Sequence, residues 1–428
     1  MLSPAERDLT LRNQEIPGLA TVLDPDAFLA ALRRAVPHAD LEAARIDSVK
    51  LAPRAYCHVG YRLDIAGEPL HLDARACRSE DLEGWLSKSG ESDAPGPLGP
   101  DRIVLADQAV LITAFPNDPR LPVLRKLADS PARRRLLRDL LPGREDLWSG
   151  ELRPVRYRPG RRYVAELRAP GGARVLLKVS TAKGHLRSRR NAAAFHSCGP
   201  LRVARLLGAS DPHRLLAYEW LPGTVLIDLW AGTPVNDEAV ATAGAALAAL
   251  HAQSPEGLES CTGEEMVEDL FSAASEIGFL CPWLARRAEE LARRLTAQVT
   301  RAPPRHEPIH GNFSSRHVLV DGAEAGIVDL DWACRDDSAR DLGGVLAQLE
   351  RHVLCDGISR DRAGRFRDNL SRGYGSVRPV PGRIDLFTAV ELFRGARAPF
   401  RRKEPEWPER TGQLVRSAEA MVERLRSS

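Results

Sequence analysis

Residues 309–343 read IHGNFSSRHVLVDGAEAGIVDLDWACRDDSARDLG, and this segment is the most informative part of the chain. After His310-Gly311 come a short polar loop, an apolar strand, the turn signal Asp321-Gly322, and a second apolar strand that leads to Asp329. A strand that ends in a carboxylate suits metal binding, because the strand holds the ligand rigidly while the adjoining loops leave room for a substrate. An ordinary polar hairpin would account for any one of these residues, but the ordered set favours a functional site.

The stretch resembles the HGDxxxxN motif, followed by xxDxD and DLG, of the aminoglycoside phosphotransferase and choline kinase family. In that family the Asp of HGD orients or deprotonates the acceptor hydroxyl, and the later Asn and strand Asp hold magnesium. The matching positions are His310, Gly311, Asp329 and Asp341-Leu342-Gly343, the last being the motif that braces the loop. Two positions depart from the motif, since Asn312 replaces the Asp and His317 replaces the Asn.

The resemblance implies an α+β, bilobal protein-kinase-like fold, with a small antiparallel β-sheet lobe, a mainly helical large lobe and an extra N-terminal α/β segment. It implies ATP and Mg²⁺ as cofactors and a small-molecule acceptor. It assigns site residues as follows: Asn312, His310 and Asp341 to catalysis, Lys178, Glu219 and Leu221 to the nucleotide, and Asp329, Asp331 and His317 to the metal. We therefore expect an ATP-dependent phosphotransferase that acts on a hydroxyl of a sugar, an aminoglycoside or a related metabolite.

Asn312 changes the chemistry of the expected site. A carboxylate carries charge and accepts a proton, whereas a carboxamide does neither. General-base assistance contributes about 10²–10⁴ in rate, but positioning and electrostatics supply most of the catalysis of phosphoryl transfer. The substitution predicts either a slow enzyme, with Asn312 orienting the hydroxyl by a hydrogen bond, or a binder that does not transfer phosphate.

His317 and Asp331 concern the metal. Magnesium prefers oxygen ligands, so His317 either leaves one metal position empty or ligates a metal through its imidazole. If residues 327–331 are extended, Asp329 and Asp331 project to the same side and share the metal. The alternative for Asp331 is a salt bridge to one of the many arginines.

Residues 150–222 resemble the small lobe of a kinase. Val175-Leu176-Leu177-Lys178 matches the strand that carries the phosphate-binding lysine. Lysine occurs at only six positions of this chain, so Lys178 is a more specific signal than another arginine would be. The alternative is a strand-edge lysine that discourages aggregation. Residues 157–161, YRPGR, would lie over the phosphates but are not rich in glycine.

Two further segments follow from the resemblance. The helix expected over about His185–Cys198 contains no acidic residue, and Asn191 stands where the family has the Glu that pairs with the lysine. Residues 215–223 resemble the hinge strand that binds adenine through its main chain, which places Glu219 and Leu221 at the nucleotide.

The N-terminal region contains a weak internal repeat. Residues 49–76 parallel residues 155–180 in the order of a proline, a strand with Arg and Tyr, a glycine turn and an apolar strand. The place that matches Lys178 lies near Asp73. Either residues 1–149 contain a degenerate duplicate of the small lobe, or two β-hairpins are similar by chance. The expected domains are residues 1–149, a small lobe over 150–222 and a large lobe over 223–428.

Apolar periodicity predicts the helices. They are expected over residues 25–37, two within 119–141, 237–251 capped by Asn236 or Asp237, 341–355, 360–374, 384–398 and 409–425. Strands are expected over 48–78, and a Gly/Pro/Ser loop over 88–100. His251 is expected to be a packed structural histidine. Four acidic residues, Glu264, Glu265, Glu268 and Asp269, lie either in a pocket for a cationic acceptor or on a solvated helix face.

Composition narrows the classes of partner and compartment. A net charge of +3 over 428 residues indicates neither a nucleic-acid nor an anionic membrane partner. The seven cysteines are widely spaced, odd in number and without CxxC, which predicts reduced thiols and a cytoplasmic protein. We expect no signal peptide and no membrane span.

Three functions remain open from the sequence. The first is the phosphotransferase. The second is a pseudokinase that binds a nucleotide, a metabolite or a protein partner, favoured by Asn312, His317 and Asn191. The third is altered transfer chemistry, such as nucleotidyl transfer with the nucleotide reversed.

Overall fold

The computed structural model describes residues 1–65, 67–88, 96–232, 236–301 and 303–427. Residues 89–95 of the loop predicted over 88–100 lie outside the described residues. The chain forms two compact units, each drawn from three segments. The first unit comprises residues 1–185, 208–217 and 399–407, and the second unit comprises residues 186–207, 218–398 and 408–428.

The first part of the chain alternates short helices and strands. Its elements are α1 Pro4–Leu11, α2 Leu19–Leu23, α3 Pro25–Ala35, β1 Leu41–Ala52, β2 Tyr56–Ile65, β3 Glu68–Cys77, α4 Leu82–Lys88, β4 Arg102–Leu105, β5 Val110–Ala114, α5 Val123–Ala128, α6 Ser130–Leu140 and α7 Glu145–Trp148. The helix predicted over 25–37 and the two within 119–141 are confirmed. The strands predicted over 48–78 begin earlier, at Leu41.

Two N-terminal helices begin at well-formed caps. Ser3 and Glu6 form a capping box at α1, in which each side chain binds the other residue's main-chain N–H. Asp24 accepts hydrogen bonds from the N–H groups of Asp26 and Ala27 at the start of α3, and Pro25 is its first residue. These local signals explain why α3 begins where the sequence predicts.

Strands β1 to β5 form one antiparallel sheet in the order β1-β2-β3-β5-β4. Its core includes Tyr61 of β2, which is fully buried and stacks on Phe28 of α3 with ring centroids 3.9 Å apart. The Tyr61 hydroxyl donates to the Val22 carbonyl at 2.9 Å, so the one polar atom of this side chain is satisfied. Burial of Phe28 and Tyr61 attaches the N-terminal helices to the sheet.

A second group of strands follows. Its elements are β6 Glu151–Arg158, β7 Arg162–Arg168, β8 Arg174–Ser180, α8 Ala182–Asn191, β9 Leu201–Val203, β10 Leu206–Ser210, β11 Leu215–Glu219 and β12 Thr224–Val225. Five of these strands form a sheet in the order β10-β11-β8-β7-β6. Read from β6, this order is the same as that of the first sheet, with a helix after the third strand in both.

The first turn of each sheet has the same backbone form. Arg54 between β1 and β2 has φ +56°, and Gly160 between β6 and β7 has φ +65°. Each turn has a proline before that residue, Pro53 or Pro159. Each is also closed by an N–H to carbonyl bond across three residues, 3.1 Å in the first sheet and 3.0 Å in the second.

The turns between the fourth and fifth strands also correspond. Ala109 has φ +49° before β5, and Arg214 has φ +50° before β11. The Ala109 carbonyl accepts from the Cys77 N–H at 3.1 Å, and the Arg214 carbonyl accepts from the Ser180 N–H at 3.3 Å. Left-handed backbone is uncommon for residues other than glycine, so its recurrence at matched places is informative.

The second unit is mainly helical. Its remaining elements are α9 Leu226–Ala231, α10 Asp237–His251, α11 Gly263–Leu280, α12 Ala285–Arg301, β13 Glu307–Ile309, β14 Val318–Asp321, β15 Glu324–Ile327, β16 Cys334–Asp336, α13 Ala339–Cys355, α14 Arg360–Gly375, α15 Ile384–Gly395, α16 Ala398–Arg401 and α17 Trp407–Ser427. A small sheet runs β12-β14-β15-β9, and β13 pairs with β16. Helix α10 has the predicted bounds, with Asn236 as its cap.

Close backbone contact joins α10 to α14. A Cβ on Gly373 would lie 1.8 Å from the Ala241 carbonyl oxygen, so only glycine fits at this crossing. The next residue, Tyr374, is fully buried and reaches His251 at the end of α10. The α10–α14 crossing therefore fixes the position of His251, which is buried as expected.

The prediction that all cysteines are reduced is wrong for one pair. Cys261 and Cys334 form a disulfide with Cα atoms 6.0 Å apart. The Arg335 carbonyl accepts from the Cys261 N–H at 3.0 Å, and the Arg335 N–H donates to the Glu259 carbonyl at 2.8 Å. These main-chain bonds bring together cysteines separated by 73 residues, which their spacing in the sequence could not show. No helix in the described parts of the chain could cross a membrane.

Candidate functional site

The predicted hairpin of the second unit is present. Val318 pairs with Ile327 and Asp321 pairs with Glu324, and Gly322 makes the turn with φ +60°. Val318 and Ile327 are fully buried, so the hairpin is anchored from its inner face. It leads directly to Asp329.

The segment after the hairpin is not extended, so the condition under which Asp329 and Asp331 would project to the same side is not met. Strand β15 ends at Ile327, Asp329 has φ +66°, and Leu330–Trp332 form a 3₁₀ turn. Aspartate tolerates the left-handed region better than most residues, which makes this bend accessible. The alternation that would place Asp329 and Asp331 on one side of a strand therefore does not apply to them.

Contacts to α8 hold the 3₁₀ turn. The Ser188 hydroxyl donates to Asp331 Oδ1 at 2.8 Å. Asn191 Nδ2 donates to the carbonyls of Ala333 at 2.9 Å and Leu330 at 3.2 Å. The Asn191 side chain thus donates hydrogen bonds to the main chain, which the carboxylate of the Glu found in the family at this position could not do. The sequence offered no signal for Ser188, and α8 ends at Asn191 rather than at Cys198.

His310 connects the loop to the strand before Asp329. Its Nε2 donates to the Val328 carbonyl at 3.0 Å, and its Nδ1 accepts from the Asn312 N–H at 3.2 Å. Both ring nitrogens of this fully buried side chain are therefore satisfied in one neutral tautomer. We interpret His310 as a residue that shapes the loop rather than one that reacts.

Asp341, at the start of α13, binds the other side of the same loop. One carboxylate oxygen accepts from the His310 N–H at 2.6 Å, and the other accepts from the Gly311 N–H at 2.9 Å. Gly311 has φ +75°, and a Cβ there would lie 2.1 Å from the Trp332 carbonyl oxygen. The loop can take this path only with glycine at this position.

A buried chain of hydrogen bonds supports Asp341. His251 Nε2 lies 3.0 Å from Asp341 Oδ2, and His251 Nδ1 lies 2.9 Å from the Tyr374 hydroxyl. Burial by itself raises the pKa of Asp341, but the hydrogen bond and charge of His251, with the hydrogen bond from the His310 N–H, outweigh it and lower the pKa. Asp341 is therefore an ionised brace at neutral pH.

His317 lies between the loop and Asp329. Its Nδ1 is 3.0 Å from the Asn312 carbonyl, which can only accept, so Nδ1 carries the proton. Its Nε2 then faces Asp329 Oδ2 at 3.6 Å. The ring is stacked on His310 with centroids 5.6 Å apart. An imidazole nitrogen and a carboxylate oxygen thus face each other at the expected metal position.

Asn312 presents its side chain to solvent. The residue is exposed, and its carboxamide has no hydrogen bond to any residue that the structure describes. Its main chain is bound on both sides, by His310 and His317. With its main chain held in place, the exposed Asn312 carboxamide is suited to form a hydrogen bond with the hydroxyl group of a ligand.

The main-chain N–H groups of the hinge residues Glu219 and Leu221 differ in their hydrogen bonding within the described part of the chain. The Glu219 N–H donates to the Arg205 carbonyl at 2.9 Å. The Glu219 carboxylate accepts a hydrogen bond from Arg205 Nε at 3.1 Å. In the described part of the chain, the Leu221 N–H has no hydrogen-bond partner. The Leu221 side chain packs over Gly326, where a Cβ would lie 2.8 Å from Leu221 Cδ1.

Lys178 belongs to the first unit and is nearly buried, with 6% of its surface exposed. It pairs with Val164 on β7, which in turn pairs with Arg156 on β6. The prediction that Lys178 lies within a strand is confirmed. Strands β6 and β11 flank the β7–β8 pair, so β8 is not an edge strand and the alternative of a strand-edge lysine does not apply. A buried ammonium there requires a compensating charge or acceptor.

The acidic residues of α11 are divided between solvent and ion pairs. Glu264, Glu265 and Glu268 are exposed. Asp269 forms ion pairs with Arg397 at 2.9 Å and with Arg394. The solvated-face interpretation fits the three glutamates, and Asp269 is neutralised by arginines.

The donor set around Asp329 fits a metal that arrives with a phosphate ligand. Among the described residues there is no group of three or more His, Cys, Asp or Glu side chains that could hold a metal alone. Magnesium is commonly bound by one or two carboxylates together with substrate phosphates and water. Asp329 supplies such a carboxylate, with 14% of its side chain exposed.

Comparison with known proteins gives one family match. The model described as the phosphotransferase enzyme family (APH) matches residues 155–387, more than half of the chain. No curated protein matches the sequence.

Many solved structures resemble the chain at low identity. An amicoumacin kinase in complex with AMP-PNP, Ca²⁺ and Ami is 13% identical over 71% of this chain and 95% of that chain, with a TM-score of 0.47. A choline/ethanolamine kinase family protein from Mesorhizobium loti is 16% identical over 69% and 95%, with a TM-score of 0.47. A putative fructosamine-3-kinase from Thermobifida fusca is 19% identical over 69% and 99%, with a TM-score of 0.46.

Proposed function

The chain belongs to the phosphotransferase enzyme family, and from that premise we propose that it transfers the γ-phosphoryl group of ATP to a hydroxyl of a small molecule. The observation that carries the proposal is the supported loop of the second unit. Asp341, His251 and Tyr374 form an internal network that holds the main chain of His310 and Gly311 in place. Such support is expected for a loop that must position a reacting group.

In the proposed step, an oxygen of the acceptor hydroxyl attacks the γ-phosphorus. The bond between that phosphorus and the β–γ bridging oxygen breaks, and ADP leaves with the electron pair. Asn312 accepts a hydrogen bond from the hydroxyl and orients it, but it cannot take the proton. The proton passes to solvent or to the transferred phosphoryl oxygens, so the step lacks a general base and is slow.

Mg²⁺, when bound, would neutralise the charge that develops on the β- and γ-phosphate oxygens. We assign Asp329 as its main protein ligand. Asp331 is fixed by Ser188 and contributes negative charge nearby, while His317 replaces the oxygen ligand that the family motif supplies. An imidazole nitrogen at this position suits a softer divalent metal better than it suits magnesium, which prefers oxygen ligands.

Lys178 is proposed to bind the phosphates of the nucleotide. Glu219 and Leu221 are proposed to bind adenine, with the open Leu221 N–H as donor. The partners of the protein are then a nucleotide and a small hydroxylated acceptor. A cytoplasmic location remains part of this proposal.

A second function is a nucleotide-binding pseudokinase. Three observations favour it: the amide at Asn312, the His317 nitrogen 3.6 Å from Asp329, and the commitment of Asn191 to main-chain carbonyls. In this function the same residues bind ligand and no phosphoryl group moves.

Thermal-shift titration with ATP, with and without Mg²⁺, tests the proposal. A ligand at 100 times its Kd stabilises the native state by about 2.7 kcal/mol. We expect this stabilisation to require the metal, and to disappear in Lys178→Met but not in Lys183→Met, the matched control. Metal-independent stabilisation, with no ADP formed across a panel of hydroxylated acceptors, would favour the pseudokinase. Absence of any shift would reject ATP as ligand.

We also propose the domain division of residues 1–149, 150–222 and 223–428, with a degenerate small lobe in the first part. The equal strand order and the matched left-handed turns of the two sheets support it.

A further inference from the structure

The second unit contains a cavity of about 280 Å³ that the proposed reaction does not use. Its walls come from Arg305 and Glu307 around the start of β13, from Ser338 before α13, and from the loop between α14 and α15. All of these lie within residues 218–398 of that unit. The volume is near the lower end of the range of about 300–1,000 Å³ that small-molecule sites occupy, so a ligand held there would be small.

The cavity lies away from the residues assigned to the reaction. Glu307 begins β13, and β13 ends at Ile309, directly before His310. At about 3.3 Å per residue, three residues of strand place Glu307 about 10 Å from His310. Within the described parts of the chain, the lining includes none of the residues that the family motif assigns to catalysis, the nucleotide or the metal. The cavity is therefore distinct from the candidate site.

Two carboxylates at the cavity are already bound. Glu307 accepts hydrogen bonds from Arg378 at 2.6 Å and from the Ser338 N–H at 3.2 Å. Burial raises the pKa of Glu307, but the hydrogen bonds from Ser338 and Arg378 outweigh it and lower the pKa. The buried Asp337 accepts from Arg383 Nη1 at 3.2 Å. These bonds neutralise both carboxylates, so neither attracts a cationic ligand.

Arginine leaves positive charge over at the cavity. Three guanidinium groups, those of Arg305, Arg378 and Arg383, stand against two carboxylates, those of Glu307 and Asp337. Arg305 is 52% exposed, and its Nε lies 4.0 Å from Asp337, farther than the 3.2 Å between Arg383 and Asp337. A guanidinium group binds a carboxylate through two parallel hydrogen bonds. Arg305 is therefore the group that is open to an anionic ligand.

The main chain at the start of α13 does not compete for this role. The Ser338 N–H donates to Glu307 at 3.2 Å. The Ala339 N–H donates to Asp337 at 2.9 Å. Since both donors are taken, an anion in the cavity would be bound by the Arg305 side chain.

The loop between α14 and α15 gives the cavity an apolar side. Pro379, Val380 and Pro381 line it, and Val380 is an exposed apolar side chain with surface left to bury. A proline ring fixes the backbone φ near −65°, so this side is largely preformed. A preformed wall reduces the entropy lost on binding. The cavity thus combines a cation for an anionic group with an apolar surface for the rest of a ligand.

The cavity wall is bonded to the network that supports the reacting loop. Arg378 Nη1 donates to the His251 carbonyl at 2.7 Å, and the Arg378 N–H donates to the Tyr374 carbonyl at 3.1 Å. Tyr374 binds His251, and His251 binds Asp341, which holds the main chain of the loop. A ligand that binds the closed wall favours the closed network, because local opening would release the ligand.

We propose that this cavity binds a small organic carboxylate, with Arg305 holding the carboxylate and residues 379–381 packing on its apolar part. Its occupancy protects the loop of residues 309–317 from local opening. This inference does not rest on the proposed function, since neither ATP nor phosphoryl transfer is part of it.

Titration of the full chain with phenylacetate, followed by ligand-observed NMR, tests the site. A ligand of about ten non-hydrogen atoms should bind with a Kd in the millimolar range. Phenylacetamide, which has the same shape without the charge, should bind at least fivefold more weakly. Together these two probes show whether the cavity selects an anion.

Matched variants locate the bound probe. R305Q should weaken phenylacetate at least fivefold, whereas R286Q, which removes an exposed arginine at the start of α12, should leave its affinity unchanged. V380S should weaken it about threefold, because part of the apolar wall is lost. V377S is the control, since Val377 is an exposed valine of the same loop that does not line the cavity. Circular dichroism checks that each variant is folded.

Hydrogen exchange followed by mass spectrometry tests the connection to the loop. With saturating phenylacetate, the amides of residues 309–317 should exchange at least threefold more slowly in the unmodified protein. R305Q at the same concentration should show a smaller change, because less of it is occupied.

The outcomes are separable. If the unmodified protein does not bind phenylacetate, or binds phenylacetamide equally well, the carboxylate site is rejected. If R305Q and V380S bind phenylacetate as their controls do, the probe binds elsewhere and the cavity is rejected. If binding follows the variants but exchange of residues 309–317 is unchanged, the connection to the loop is rejected while the binding site stands. The ATP-dependent stabilisation is measured without phenylacetate, so failure here leaves the proposed function untouched.

Discussion

The two five-stranded sheets have the same strand order, but the cationic side chain on the third strand of each sheet has a different environment. Tyr56 and Arg162 begin the second strands of the two sheets. Two residues later, His58 pairs with Arg75 and Val164 pairs with Lys178. Arg75 is therefore the counterpart of Lys178, two residues beyond the position near Asp73 that the sequence repeat indicated.

The environment of the two cations explains what each sheet can do. Arg75 is bound to Asp73 within its own strand, with 11% and 6% of the two side chains exposed. Asp118, which follows the fifth strand of the first sheet, binds the β6–β7 turn of the second. The first sheet therefore uses its charges for internal structure, whereas we propose that the second uses them for ligand. A repeated fold need not repeat a function.

The largest expected effect comes from exchanging the two cations for methionine. Lys178→Met should remove the ATP-dependent stabilisation, because the phosphates lose their buried cation. Arg75→Met should leave ATP binding intact but destabilise the protein by about 3–5 kcal/mol, because Asp73 is left buried and unpaired. Thermal shift with ATP and urea unfolding measure the two effects. Loss of ATP binding in Arg75→Met would contradict the division between the sheets.

Asn312→Asp tests whether the nucleotide that the second sheet is proposed to bind is used in a reaction. Restoring the carboxylate should raise turnover by about 10²–10⁴, the contribution of a general base. ADP release with a panel of hydroxylated acceptors measures turnover. Asn312→Ala is the control and should give no gain. No increase in Asn312→Asp, with ATP binding retained, would favour the pseudokinase.

Two buried carboxylates should respond to pH in opposite directions. Burial and the charge of Asp73 raise the pKa of Asp118, although bonds from Gly160 and Tyr157 act against this. The folded state then holds its proton to higher pH, so this group's stability contribution falls as pH rises above 3.8. The lowered pKa of Asp341 has the opposite effect, and its contribution is lost as pH falls below 3.8.

Unfolding free energy measured by urea denaturation between pH 2 and 6 should show both trends. Asp118→Asn should remove the decline in the free energy of unfolding as pH rises above 3.8. Asp341→Asn should remove the loss of unfolding free energy as pH falls below 3.8. Both variants also lose hydrogen bonds worth about 1–3 kcal/mol at all pH values, so the slopes rather than the absolute stabilities carry the test. Equal slopes in both variants would contradict the assignments.

The smallest effect concerns the matched turns. Arg54→Gly should stabilise the protein by less than about 1 kcal/mol, because relief of a left-handed backbone is offset by the flexibility of glycine. Gly160→Ala should destabilise it by about 1 kcal/mol, with its Cβ 3.3 Å from Arg120 Cδ. Thermal unfolding measures both. A large destabilisation by Arg54→Gly would mean that the two turns are not equivalent.

The sequence predicted what depends on local pattern. Helix α10 has a capping Asn236 and a continuous apolar repeat, so its bounds follow from residues close together in the chain. The β14–β15 hairpin follows from two apolar runs around Asp321-Gly322. The fold class and the family follow from the motif at 309–343, and the family is confirmed by the match over residues 155–387.

What the sequence did not predict depends on contacts between distant segments. Ser188 meets Asp331 across 143 residues, and Cys261 meets Cys334 across 73. The left-handed Asp329 arises where Asn191 binds the following carbonyls, and no propensity identifies that site in advance. The roles of individual site residues stay predictions, since they require a bound ligand to test.

The first unit contains segments that are far apart in the chain, and this has a consequence for protein synthesis. Residues 399–407 belong to this unit, and Lys403 forms an ion pair with the buried Glu6, 397 residues earlier. At about 5–20 residues per second, the ribosome needs tens of seconds to make the intervening chain. During that time the N-terminal helices and sheet exist without their last packing segment. The first unit, although its first strands emerge early, is completed only after residues 399–407 have been made.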